Sequence, residues 1–288
     1  MLLLELFVQG LVQGSIYALV AVGLTLVYGL LRILHVAHAG LYTLGGYLGV
    51  TVTNASGSLG LALLVAMVCV GVVGMGIYKL CYQPILRHPP FVALIASIGL
   101  FIAMEEIYRL VFGPYGISFN QPPLPASLEL FGMRLKLAEI ITMAGAGLLI
   151  GALAMLSART RIGIAWRATV TAPEIAESFG IDIEKVRYLN FFVGSALAAA
   201  AGVMVVVLNN LVEPTMGSVP SYKALAIIVL GGLGDVRGTL IAALALGVIE
   251  AYGTIYLGGL LDRDAIAFAF LIVVLMIRPQ GLFGRALP

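Results

Sequence analysis

LFVQGLVQGSIYALVAVGLTLVYGLL, residues 6–31, runs for 26 positions without a single charge. A helix of about 20 such residues rises roughly 30 Å, the thickness of the hydrocarbon layer of a membrane. The stretch therefore reads as a membrane-crossing helix. No Lys or Arg precedes it, and it continues through Gly23, Leu24 and Leu26 without a small-residue cleavage site, so it is expected to stay as the first span rather than be removed as a signal peptide.

The rest of the chain repeats this pattern. Of 288 residues 61% are hydrophobic and only 10% charged, with mean hydropathy +1.09, which excludes a soluble globular enzyme, a disordered chain and a collagen-like one. Further apolar segments fall at about 37–53, 59–82, 91–112, 137–158, 189–210, 239–259 and 265–277, with a shorter one at 223–234. A backbone in lipid must satisfy its own hydrogen bonds, and no ten-residue alternating pattern of a barrel is present. The expected fold is all-α: a polytopic membrane helical bundle of about eight to ten spans, counting the short Gly-broken segment, with residues 1–288 forming one transmembrane domain. A net charge of +2 is too small and dispersed for a nucleic-acid surface. Cys69 and Cys81, twelve apart, match no disulfide, metal or redox spacing and read as small buried hydrophobes.

Basic residues set the orientation. Placing 159–188 in the cytoplasm puts 11 of the 16 Lys and Arg residues inside, among them Arg32, Lys79, Arg87, Arg159, Arg187, Arg237 and Arg278. Arg109, Arg134, Lys136, Lys223 and Arg263 then fall outside, with an external N-terminus and a cytoplasmic C-terminus. The segment 223–234 is too short for a standard span, and either crosses as part of a broken helix or re-enters. Between Gly113 and Lys136, Pro114, Pro122, Pro123 and Pro125 predict a stiff, mostly extended outer cover.

The inner loop, about 159–188, carries a helix start at Thr171 or Ala172 before Pro173 and Glu174, and a helix stop at Gly180. The helix over about 172–179 is too short to stand alone, and it presents Ile175 and Phe179 four residues apart on one face. It reads as a docking element for a cytoplasmic partner; the alternative is a solvated connector.

GGLGDVRG, Gly231–Gly238, superficially resembles a dinucleotide loop, and Ala226–Leu230 before it could be a strand. The segment that follows is apolar all round, so no soluble βαβ unit exists. Gly231, Gly232 and Gly234 instead mark a helix break, with a counterpart in Gly45 and Gly46; two such interruptions point either to a transport path or to close helix packing. Glu250 stands alone in its span, as a contact in a cavity, a protonated group or a structural partner of a neighbouring helix. Glu105 and Arg109 can pair at a four-residue spacing. His35 and His38, beside Arg32, read as interfacial hydrogen-bonding groups, since no third metal ligand accompanies them. No GxxxxGK[ST], HExxH or GxSxG is present, so the chain neither cradles ATP phosphates nor shows a hydrolase motif.

GLVQGSIYALVAVGLTLVYG from Gly10 to Gly29, followed by Ala37, His38 and Tyr42, resembles the LivH-like permease subunit of branched-chain amino acid ABC importers. So do RIGIAWRATVTAPEIAESFGID in the inner loop, the stretch from Lys223 through LGGLGDVRG, and RPQGLFG from Arg278 to Gly284. The likeness covers nearly the whole chain. It departs at His35, Ala39 and Gly40, where the family usually has Asn, Gly and an acidic residue. RPQGLFG also occurs in the sister permease; the N-terminal run and the short length favour the LivH-like side.

The resemblance implies a prokaryotic inner-membrane permease working with a second permease, as a hetero- or homodimer, two cytoplasmic ATPases and an extracytoplasmic solute-binding protein. Arg161, Gly163, Arg167, Ala168, Glu174, Ala176, Phe179 and Gly180 would couple to the ATPases; Gly45, Gly46, Gly231, Gly232, Gly234 and Glu250 would flank the path. The chain would bind no cofactor itself, ATP and Mg being used by the partner, and would perform no covalent chemistry. An ion-coupled secondary transporter, a membrane scaffold, or a sister permease carrying an amide or urea are the alternatives.

Overall fold

A computed structural model describes residues 2–130, 133–278 and 280–283. Eleven helices carry almost all of it: α1 (Leu2–Leu31), α2 (His38–Ser56), α3 (Leu59–Ile77), α4 (Pro90–Phe112), α5 (Leu137–Arg159), α6 (Arg161–Thr171), α7 (Pro173–Ser178), α8 (Ile183–Asn209), α9 (Ser218–Gly231), α10 (Val236–Tyr256) and α11 (Arg263–Ile277). Every apolar segment expected to be a span contains a helix. Six helical stretches among the described residues are long and apolar enough to cross a membrane unaided, and α2, α9 and α11 are shorter or less apolar.

α5 fixes the two ends of the bundle. It starts directly after a hairpin of β1 (Ser127–Leu130) and β2 (Met133–Lys136), antiparallel with Ser127 opposite Lys136, and it runs straight into α6. The hairpin end and the loop end are therefore opposite. The cover over 113–126 contains no helix, as its prolines require, but the hairpin was not foreseen. The charged alternation Glu129, Arg134 and Lys136 that builds it is too short to stand out beside the spans.

α1 and α8 form the axis. From Ser15 to Val27 every residue of α1 is buried, and α8 contributes the small-residue run Gly194–Gly202, also buried throughout. Small side chains allow close backbone approach, which is where dispersion and weak contacts hold membrane helices together. α1 packs antiparallel on α10, with Gly10 against Val248 and Gly14 against Leu244, where an added Cβ would lie 2.6 and 2.9 Å from the facing Cα atoms. α3, α4 and α5 lie outside this axis and expose most of their apolar surface.

The short segment and its approach run from the hairpin end of the bundle to the loop end. Asn210, in the left-handed region at φ 57°, ends α8 at the hairpin end, where Val212 pairs with Ile117. The chain then descends past Gly46 and Ala39 before α9 begins, and α9 ends against Thr239 at the loop end. α9 is a half-length helix of 14 residues, about 21 Å, completed by an irregular approach buried in protein. Ala226–Leu230 is thus helix and not strand. α2 also begins deep in the bundle, because His38 reaches the carbonyl of Val20, halfway along α1.

Two other expectations are corrected. Cys69 is exposed on α3 and so is not the buried group expected, while Cys81 is half-buried and packed against the core. Arg109 pairs with Glu106 at 2.7 Å rather than with Glu105, which accepts a hydrogen bond from Ser218 Oγ at 2.8 Å.

Candidate transport site

Glu250 is not alone. Its carboxylate, fully buried in α10, lies 2.8 Å from Lys223 Nζ of α9 and 2.8 Å from Arg263 Nε of α11, and accepts a 2.7 Å hydrogen bond from Tyr17 of α1. Lys223 also meets Asp264 Oδ1 at 2.9 Å, and Tyr222 donates to Asp264 Oδ2. A charge withdrawn from water in a membrane is costly unless paired, and here two cations and two anions cancel. The orientation tally placed Lys223 among the outer loop residues; it is instead 2% exposed and inside the bundle. Its position at the head of a segment read as starting at 223 concealed its partner 27 residues on.

This cluster borders a cavity of about 310 Å³ at the hairpin end, whose lining mixes the polar Gln13, Tyr17, Tyr42, Lys223, Arg263 and Asp264 with aliphatic residues including Val205, Leu208, Met216 and Val219. A second cavity of about 340 Å³ shares Gln13, Leu208, Asn209 and Arg263 with it. At the loop end a third, about 270 Å³, is bounded by Thr25, Gly29, Trp166, Arg167 and Gly234. Between them the bundle is closed. Thr25 Oγ1 lies 2.9 Å from Thr239 Oγ1, and Asn190 donates to the carbonyl of Leu26 at 2.7 Å.

His35 and His38 belong to this closed middle and are not interfacial. Both are buried; His35 Nδ1 is 2.6 Å from the Tyr82 hydroxyl and His38 Nε2 is 3.2 Å from the Val20 carbonyl. Among the described residues no three His, Cys, Asp or Glu side chains group as a metal site.

At the loop end the predicted short helix is α7, bounded by Ala172 and Phe179. Thr171 does not cap it, since its hydroxyl turns back to the Arg167 carbonyl; Pro173 at the first position starts it instead. Its end is a Schellman motif. Gly180 at φ 82° lets its N–H reach the Glu177 carbonyl at 2.8 Å, while Ile181 N–H reaches Ala176 O at 3.1 Å. Ala176 is the buried side; Glu174, Ile175 and Phe179 face out, Phe179 at 84% exposure.

α6 was not foreseen. Thr160 caps it, accepting from Gly163 N–H at 3.0 Å, and Gly163 sits where a Cβ would collide with the carbonyls ending α5. Arg167 folds back to the Ser157 carbonyl, Ala168 O takes the Ala172 N–H, and Arg161 is exposed. Asp182 caps α8 and is held below the usual carboxylate range by hydrogen bonds from the Lys185 backbone and ammonium.

The glycines divide. Gly45 packs against the backbone of Ala199 of α8 and Gly231 against that of Gly238 and Thr239, contacts with no room for a Cβ, while Gly46 meets the movable tips of Met216 and Val206. Gly232 and Gly234 occupy positive φ, 105° and 87°, in the turn between α9 and α10, and Gly234 lines the loop-end cavity. Leu282 and Phe283 donate backbone N–H groups to Leu230 O and Gly231 O, so two sequence signatures far apart in the chain cap one another. Pro279 and Gly284 of the second signature lie outside the described residues.

The family described as branched-chain amino acid transport system / permease component matches residues 6–277. The high-affinity branched-chain amino acid transport system permease protein LivH of Salmonella typhimurium is 33% identical, over 98% of this chain and 96% of its own length. BraD of Pseudomonas aeruginosa, a permease protein of the same kind of system, is 29% identical with the same coverage. LivM of Escherichia coli, also a permease protein, is 25% identical over 95% of this chain and 69% of its own. PsaBC from Streptococcus pneumoniae, solved in complex with Fab, shares the fold at a TM-score of 0.52 with 11% identity, covering 96% of this chain and 94% of that one. Matched along almost its full length to these sequences, and folded as a multi-pass helical bundle with cavities at both ends and a closed middle, the chain belongs to the family of permease components of branched-chain amino acid transport systems.

Proposed function

We propose that this permease is the transmembrane subunit of an ATP-binding cassette importer in the inner membrane of a prokaryote, moving branched-chain or related amino acids inward. It pairs with a second permease, a role for which a LivM-like chain is suited, and works with two cytoplasmic ATPases and an extracytoplasmic binding protein. ATP and Mg are used by the ATPases, and this chain binds no cofactor of its own. The hairpin end faces outward and the loop end faces the cytoplasm, which is the orientation the Lys and Arg distribution favours.

The observation that carries this reading is α7: a capped two-turn helix at the loop end that buries only Ala176 and leaves Ile175 and Phe179 uncovered. Motion imposed on α7 passes through its neighbours α6 and α8 to the closed middle, and exchanges the outer cavities for the inner one. An ion-coupled transporter would need a titrating relay, and Glu250 is held between two cations. The test is uptake of L-leucine into vesicles holding the chain with its permease, ATPase and binding-protein partners. ATP-dependent uptake that survives collapse of ion gradients is expected; uptake that follows the gradient and ignores ATP overturns the importer reading.

A further inference from the structure

The cavity beside the Glu250 cluster is lined by both charged and aliphatic side chains. Arg263 and Asp264, neighbours in the chain and of opposite sign, are the half-exposed members of the charge cluster, at 44% and 46% side-chain exposure, whereas Lys223, at the cavity's edge, and Glu250 are almost wholly buried at 3% and 0%. Val205, Leu208, Met216 and Val219 line the same space. Arg263 engages Glu250 through Nε, one of five guanidinium donors, and Asp264 accepts one hydrogen bond on each oxygen where each has two lone-pair sites. Both keep hydrogen-bonding capacity toward the cavity.

We infer that this cavity is a binding station within the permease itself for a zwitterionic amino acid with an apolar side chain, Arg263 taking the carboxylate, Asp264 the ammonium, and the aliphatic lining residues the side chain. A solute with one charge would match one wall group and be repelled by the other, and an uncharged amide or urea would draw on neither charge. A volume of about 310 Å³ falls at the small end of ligand pockets. The buried pair has its own purpose here: Glu250 and Lys223 hold Arg263 and Asp264 in place through 2.8 and 2.9 Å contacts, so the site is set before the solute arrives. This inference rests on the importer reading above and narrows its cargo.

The experiment uses the complete importer in proteoliposomes with saturating binding protein and radiolabelled L-leucine as the probe. Asp264→Asn is expected to lower ATP-dependent uptake at least tenfold while ATP hydrolysis by the assembled complex stays within twofold, and Asp264→Glu to restore most of the uptake. Val219→Trp adds bulk to the cavity from a residue 43% exposed, and it is expected to block uptake with the complex intact. Should Asp264→Asn fail to assemble, Val219→Trp decides alone. Uptake unchanged within twofold in these variants overturns the station and leaves the importer standing; no ATP-dependent uptake by the unaltered complex overturns the importer itself.

Discussion

Lys223 Nζ lies 2.8 Å from Glu250 Oε1, joining α9 to α10 between two residues that are together almost wholly removed from solvent. The short helix α9 has an irregular approach and few turns of its own, so an ion pair at its second turn fixes its height against a full-length neighbour. The pair gains little net energy over apolar packing, but losing one partner leaves the other buried and uncompensated. Glu250→Ala should therefore destabilise the bundle by about 3–5 kcal/mol, the usual cost of stranding a buried charge. The double change Glu250→Leu with Lys223→Met should recover much of that loss. Thermal unfolding of the purified complex measures both, and a single mutant as stable as the unaltered chain would deny the pair its structural part.

Phe179 and Ile175 present one uncovered apolar face at the loop end. If an ATPase covers it, Phe179→Ala removes an aromatic anchor, typically about 2 kcal/mol or more at an interface, or roughly thirtyfold in affinity. Co-purification of the ATPase subunit should drop accordingly while the permease remains in the membrane. Equal recovery of ATPase and equal uptake would show that the face is only a solvated connector.

Orientation is open to a direct chemical test, because Glu129 lies in the hairpin before α5, Lys185 lies in the first turn of α8 at the loop end, and both side chains are well exposed. In a background of Cys69→Ala and Cys81→Ala, Glu129→Cys should react with an impermeant maleimide added to intact cells, and Lys185→Cys only after the membrane is opened. Reaction at position 185 from outside would invert the whole assignment.

What sequence could and could not disclose follows from range. The spans, the Gly180 stop and the proline-bound cover were legible because each depends on local chemistry: an apolar run, a residue that tolerates positive φ, a ring that forbids helix. Lys223, Glu250 and Arg263 were not read as one cluster, since their meeting depends on three helices packing, and spacing of 27 and 13 residues carries no helical period. Glu105 was paired with the wrong partner for a related reason. The four-residue spacing to Arg109 allowed that contact, but Ser218 from α9 competes for Glu105 and Glu106 is free to take the arginine. α6 was hidden because it is short and mixes apolar residues with Arg161, which turns to solvent, and Arg167, which turns to the end of α5.

The glycines near the loop end separate packing from passage, which the sequence alone left open. At Gly231 an added Cβ meets the backbone of Gly238 and Thr239, which cannot turn away as a side chain can, so Gly231→Ala should lose the contact between α9 and α10 and disappear from the membrane fraction. Gly234 is different. Its nearest neighbour is Gly29 Cα at 3.5 Å, ordinary contact, and its penalty is the left-handed backbone alone, about 1–2 kcal/mol for a residue with a Cβ. Gly234→Ala should therefore assemble, and because it narrows the inner cavity it should slow uptake more than it lowers ATPase binding. Gly232→Val combines a φ of 105° with a β-branched side chain, so it should cost more than Gly234→Ala. The ordering is the test. Loss of assembly in Gly234→Ala would make the turn a packing element throughout, and full uptake by Gly232→Val would remove it from both packing and passage.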